Sequence, residues 1–253
     1  MRPRDLTVLD LLAQLTKSLS KVDRRLIRSF RALVTKPGSL TASYISGQRR
    51  KYLAPLSLFL IANALFFATQ SLTKTNIFSS TLESHLRVQD WSPLAQELVG
   101  RHLASSQISY AVFADRFNAA ALLYAKSLII VMALVFSAIL PLAFYGTHRR
   151  LGVHIVFAIH LYSFVLLLFC GSLLIAEAHL LSAGAGLDSP PVDTALTIIN
   201  LLVCFIYLHI AIGVVYGATG LPRLVKAALL AVAVPAIVVG YRFLIFLVAL
   251  YGA

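Results

Sequence analysis

Residues 153–181 read VHIVFAIHLYSFVLLLFCGSLLIAEAHLL. One acid, Glu177, and the histidines His154, His160 and His179 interrupt an otherwise apolar and small-residue run. A helix crosses the ~30 Å hydrocarbon layer with about 20 apolar residues, and this run exceeds that length. It reads as a membrane-spanning helix. Four blocks of the same kind flank it, at about 53–72 and 119–145 before it and about 194–216 and 225–251 after it. Backbone amides in lipid must be paired within the segment, so such blocks are helices. The expected fold is an all-α, polytopic membrane helix bundle of about five transmembrane helices.

Composition agrees. Of the 253 residues, 59% are hydrophobic and 13% charged, against about 45–50% and about 25% in a soluble domain. Cys170 and Cys204 both fall inside apolar blocks. They imply no disulfide framework and read as small membrane hydrophobes. Met1–Leu15 does not read as a secretory signal, because Asp10 and Gln14 break its apolar core.

The connectors differ in charge. Residues 1–51 hold twelve Lys/Arg against three acids. Arg149 and Arg150 follow the second block, and Arg223 and Lys226 follow the fourth. Between these, 71–118 holds four bases and four acids, and 182–193 holds only Asp188 and Asp193. Basic connectors therefore alternate with the others. The positive-inside rule then places the N-terminus in the cytoplasm and the C-terminus outside. Two regions follow: a basic amphipathic cytoplasmic segment at 1–52, and the bundle at 53–253 with an external helical insertion at 72–118. The net charge of +12 is read as a topology signal, with no nucleic acid as partner. Anionic inner-leaflet lipid at the N-terminal helix is the expected counterpart, at about 1 kcal/mol per basic residue near the surface.

Within that N-terminal segment, Asp5–Val34 has helical periodicity. Val8, Leu12, Leu15, Leu19, Val22 and Leu26 line one face, and Lys17, Lys21, Arg24, Arg28 and Arg31 lie nearly opposite. Pro37-Gly38 breaks it. A short turn of helix follows, then Gly47-Gln48-Arg49-Arg50-Lys51-Tyr52, a basic knot before the first span. Arg28, Arg31, Tyr44, Gly47, Arg49, Arg50 and Tyr52 form the expected membrane-surface motif.

The stretch Arg31-Ala32-Leu33, Lys36-Pro37-Gly38, Tyr44, Gly47 to Tyr52, Pro55-Leu56 and Phe66-Phe67 resembles an uncharacterised bacterial membrane family, domain of unknown function number 3667. His154 to His160 and Val215-Tyr216-Gly217 resemble it more loosely. The resemblance implies a helical protein of the bacterial cytoplasmic (inner) membrane and brings no activity with it. Many relatives begin with a cysteine-rich zinc ribbon. This sequence carries none, so a function tied to that metal module is not expected.

Ionisable groups inside lipid are costly and suggest a functional site. Lys126, Glu177 and Arg242 fall in the outer third of their spans, with Asn63, His179 and Asn200 at similar levels. These make a candidate ligand-binding layer of Lys126, Glu177, Arg242, Asn63 and Asn200. Glu177 paired with Lys126 or Arg242 would leave one positive charge for an anionic group; the alternative is snorkelling of the long cations to the interface. His160 and His209 sit at matching depths on consecutive antiparallel spans. They are candidates for facing each other as a haem or metal pair, a proton relay, or packed histidines. No cofactor is otherwise expected. Tyr145, Tyr207, Tyr216 and Tyr241 read as interfacial and packing aromatics. Gly213 and Gly217 have the spacing for close helix approach, within the bundle or in a homo-oligomer.

No His-Glu-x-x-His, Gly-x-Ser-x-Gly or phosphate loop is present. The leading expectation is non-enzymatic binding or transport of an anionic lipid or small solute at the outer-leaflet layer, with the 72–118 insertion as a lid. The alternatives are a scaffold or regulatory subunit acting through the basic N-terminal helix, and an intramembrane lipid-active enzyme or His-ligated haem or metal protein.

Overall fold

The computed structural model describes residues 24–252 except 76, 107, 148 and 183. Residues 5–23 of the expected amphipathic helix lie outside these. Among the described residues there is no strand. Helix α1 covers 24–35 and α2 covers Ser39–Ile45. Then come α3 Pro55–Leu72, α4 Leu82–Arg87, α5 Ser92–Ser106, α6 Tyr110–Leu128 and α7 Ile130–Ala143. The chain closes with α8 Leu151–Leu181, α9 Pro190–Tyr216 and α10 Gly220–Gly252. Helices α3, α8, α9 and α10 are each long and apolar enough to cross a membrane. Helices α6 and α7 pass that test only together, and they meet at a 47° bend.

This bend departs from the single helix expected at about 119–145. The helix starts earlier, at Tyr110, where the Ser109 hydroxyl accepts from the Val112 amide. It then breaks at Ile129, although the nearest proline of this pair, Pro141, lies well inside α7. Side chains from other helices explain the break. An unbroken helix would pair the Ala125 carbonyl with the Ile129 amide. Instead the Tyr241 hydroxyl of α10 donates to that carbonyl at 2.8 Å. One residue on, Asn63 of α3 donates to the Lys126 carbonyl at 3.4 Å. Side chains inserted into the helical ladder are a known cause of sharp kinks.

Packing follows from length. At 1.5 Å per residue, the 31-residue α8 is about 46 Å long and the 18-residue α3 about 27 Å. Leu53 and His160 border the same narrow slot, so α3 begins level with the tenth residue of α8. The space left beside the start of α8 is filled by α1 and α2. Leu33 and Leu40 are buried there. Buried Ser29 accepts the Leu53 amide at 2.9 Å, which ties α1 to the start of α3. Buried Thr41 meets His160 Nδ1 at 2.8 Å. Gly38 has φ +81, and a Cβ there would lie 2.9 Å from the Ala211 carbonyl oxygen and 3.1 Å from Val214 Cβ. Only glycine both adopts this conformation cheaply and lets the turn rest on α9.

At the opposite end, α3 is followed by a stretch that turns back into the bundle. Phe78 is fully buried among Phe66, Phe169 and Tyr241. Helices α4 and α5 then lie against α10, with His85 on Phe246 and Trp91 on Phe243.

Candidate polar cavity at the insertion end of the bundle

On α9, Asp193, Thr197, Asn200 and Cys204 are spaced by four, three and four residues, so they share one helix face. Down that face the side chains change from charged to polar to apolar. The upper three line a cavity of about 350 Å³, together with Thr75, Ile77, Phe169, Ser172, Leu173, Leu187, Leu196 and Arg242. Ser172 of α8 lies 2.8 Å from Asn200 Oδ1, which leaves the amide nitrogen of Asn200 for other partners.

Arg242 enters from α10, ten residues before its last residue, or about 15 Å. One Nη2 proton goes to Ser80 Oγ at 2.9 Å. Nε is buried and has no partner. Among the described residues the ion pairs are Arg87–Glu83 and Arg101–Glu97, both exposed. Arg242 is in neither. Asp90 is close enough to act on it electrostatically, beyond ion-pair distance. A guanidinium holds five donors in a fixed fork, and here most of them are unused.

Behind Arg242 stands His85. It is 1% exposed, and Trp91 Nε1 lies 3.2 Å from its Nδ1. Burial and the Arg242 charge push the His85 imidazole down to about 4, against the pull of its hydrogen bond to the Ser80 backbone. A neutral His85 adds no second positive charge beside the guanidinium.

A second cavity adjoins the first and shares Phe169, Thr197 and Asn200 with it. It measures about 220 Å³ and continues between α8, α9 and α10, past Leu201, Cys204, Ala231, Val234, Pro235 and Val238. Its walls are almost wholly apolar. Pro235 has no amide for the Ala231 carbonyl four residues earlier, so α10 is loosened where the groove runs.

The expected polar layer is thus divided. Arg242 and Asn200 meet in one cavity. Lys126 borders another, of about 300 Å³, with Phe67, Gln70, Ser71, Lys74 and Leu122. Its ammonium lies 5.9 Å from the Phe67 ring centre. Asn63 belongs with Lys126 and serves the α6–α7 break. Glu177 is half-buried and pairs with neither Lys126 nor Arg242. His179 Nδ1 accepts the Gly186 amide and fastens the loop after α8.

His160 and His209 have separate neighbours. Helix α2 packs on both α8 and α9, and Thr41 occupies His160 Nδ1. His209 Nδ1 is buried without a partner, beside Phe205. No group of three or more metal-ligating side chains occurs among the described residues. His154 Nδ1 lies 2.9 Å from the Tyr216 hydroxyl, and Tyr216 stacks on Phe144 with centroids 3.9 Å apart. Gly213 and Gly217 have local uses. Arg223 lies over Gly213 and donates to the His209 carbonyl, while Gly217, at φ +69, ends α9. In the surface motif Arg28, Arg31, Gly47, Arg49 and Arg50 are exposed. Arg49 lies over the Tyr44 ring at 4.9 Å and Lys51 over Tyr52 at 5.3 Å.

Several cavity residues carried no separate signal in the sequence. Asp193 reads as an ordinary acid in the first turn of a helix. Thr75, and Ser80 that holds Arg242, sit in a polar connector among many like them.

Residues 23–67 match the model of a family described as "Protein of unknown function (DUF3667)". The match covers the described part of α1, then α2, the basic knot and most of α3. Comparison with curated proteins and with solved structures finds no match. The matched stretch is the part seated against α8 through Thr41 and against α9 through Gly38, with Ser29 tying α1 to the start of α3. None of the residues lining the Arg242 cavity belongs to it.

Proposed function

We propose that this membrane protein binds the anionic group of a lipid or small solute, without catalysis, in the Arg242 cavity. The observation that carries the reading is a part-buried guanidinium on the wall of a cavity of about 350 Å³, with its Nε buried and unpartnered and one Nη2 proton given to Ser80. An unpaired donor in low dielectric is costly, and a phosphate or carboxylate would accept its remaining protons in bidentate fashion. Asn200 supplies a further donor. Among the described residues no metal-binding cluster accompanies them, and the reading is of binding and not of bond making.

In this reading the basic connectors face the cytoplasm of a bacterial inner membrane, and the cavity opens at the outer leaflet. The exposed Arg28, Arg31, Arg49 and Arg50 then meet anionic inner-leaflet lipid. The scaffold alternative gains less support, because Ser29, Leu33 and Thr41 make the N-terminal segment part of the bundle core.

The test is native mass spectrometry of detergent-purified protein offered a phospholipid mixture. Arg242→Gln should lose the retained phospholipid. Lys126→Gln, in a separate cavity, should keep it. Equal retention by wild type and Arg242→Gln would end the proposal.

A further inference from the structure

The Arg242 cavity has a carboxylate as well as a cation. Asp193 is exposed on the first turn of α9, lines the cavity, and makes no ion pair among the described residues. A purely anionic head would be drawn by Arg242 and repelled by Asp193. A head carrying both charges satisfies both walls. The apolar groove starts where the polar cavity ends, at Phe169, Thr197 and Asn200.

Resting on the reading that Arg242 receives an anion, we infer that the ligand is a zwitterionic phospholipid of the ethanolamine type. Its ammonium sits at Asp193, its phosphate at Arg242 and Asn200, and one acyl chain runs down the groove past Cys204 and Pro235. The order along the α9 face matches the order along such a lipid. Asp193 is outermost for the ammonium, Asn200 lies seven residues or about 10 Å further along α9, a gap closed by the head group together with the reach of the two side chains, and hydrocarbon follows. The groove offers the chain no hydrophobic gain over bulk lipid, since both are apolar. It provides a lateral path from the leaflet, and the two charges provide the selection.

The experiment uses the full chain in detergent and equimolar ethanolamine and glycerol phospholipids with identical acyl chains, read by native mass spectrometry. Soluble glycerophosphoethanolamine is the head-only probe. Wild type should retain the ethanolamine lipid over the glycerol lipid by about tenfold or more, the size of one charge contact of ~1.4 kcal/mol. Asp193→Asn should cancel or reverse that preference. Leu201→Trp, at an exposed position that lines the groove and not the polar cavity, should exclude both lipids and still admit the head-only probe.

If wild type and Asp193→Asn show the same preference while Arg242→Gln loses both lipids, the zwitterion inference fails and the anion site stands. If Leu201→Trp retains both lipids undiminished, the chain does not run in the groove. If Arg242→Gln changes nothing, the anion site itself is wrong.

Discussion

Replacing Gly38 by alanine is the sharpest test of how the N-terminal segment is seated. Two costs are expected and they have different origins. At φ +81 an L side chain pays about 1–2 kcal/mol for the left-handed conformation. The added methyl would also lie 2.9 Å from the Ala211 carbonyl oxygen and 3.0 Å from its Cα, both backbone atoms that cannot swing away. Overpacking of that kind costs about 1–3 kcal/mol. The sum is about 2–5 kcal/mol. Gly47 separates the two terms. Its φ is +83, yet nothing lies within 4 Å of a Cβ there, so Gly47→Ala should lose only the conformational part. The assay is equilibrium unfolding in mixed detergent and sodium dodecyl sulfate micelles, followed by circular dichroism. If Gly38→Ala is no less stable than Gly47→Ala, the turn between α1 and α2 does not rest on α9.

Other outcomes follow from the same geometry. Thr41→Val keeps the shape but strands buried His160, and should cost about 1–3 kcal/mol in that unfolding assay. Tyr241→Phe returns the Ala125 carbonyl to the Ile129 amide, so the 47° bend should open; spin labels on α6 and α7, read by pulsed electron resonance, would show a longer separation. His85 is lowered to about 4 in the folded protein, below the unfolded value of about 6.5. The unfolded chain therefore binds the proton first, and stability should be full above pH ~6.5 and fall as pH drops towards 4, by up to about 3 kcal/mol. His85→Phe should remove the part of that loss seen between pH 6.5 and 5, where carboxylates contribute little.

The long helices were legible because lipid makes a simple demand. An apolar run of sufficient length has one way to pair its backbone, and α3, α8, α9 and α10 obey it. The α6–α7 break was not legible, because its cause is nonlocal. Nothing near Ile129 announces that Tyr241, 112 residues later, will take the Ala125 carbonyl. The early start of α6 was hidden for another reason. Asp115, Arg116 and Asn118 look like connector residues, yet Asn118 lies inside the helix and accepts the Leu82 amide. Pro37-Gly38 could be read as a break, but the reason for glycine rather than another turn residue is Ala211. The candidate site shows the same division. Residue count along a span gives depth, and depth brought Lys126, Asn63, Arg242 and Asn200 to one level. It does not give azimuth around the helix bundle. The bundle sends Lys126 and Asn63 to the α3–α6 side and Arg242 and Asn200 to the α8–α9–α10 side. A charge inside lipid thus marks its own importance, while its partner is set by packing, which is why Arg242 could be named from the sequence and Ser80 and Asp193 could not.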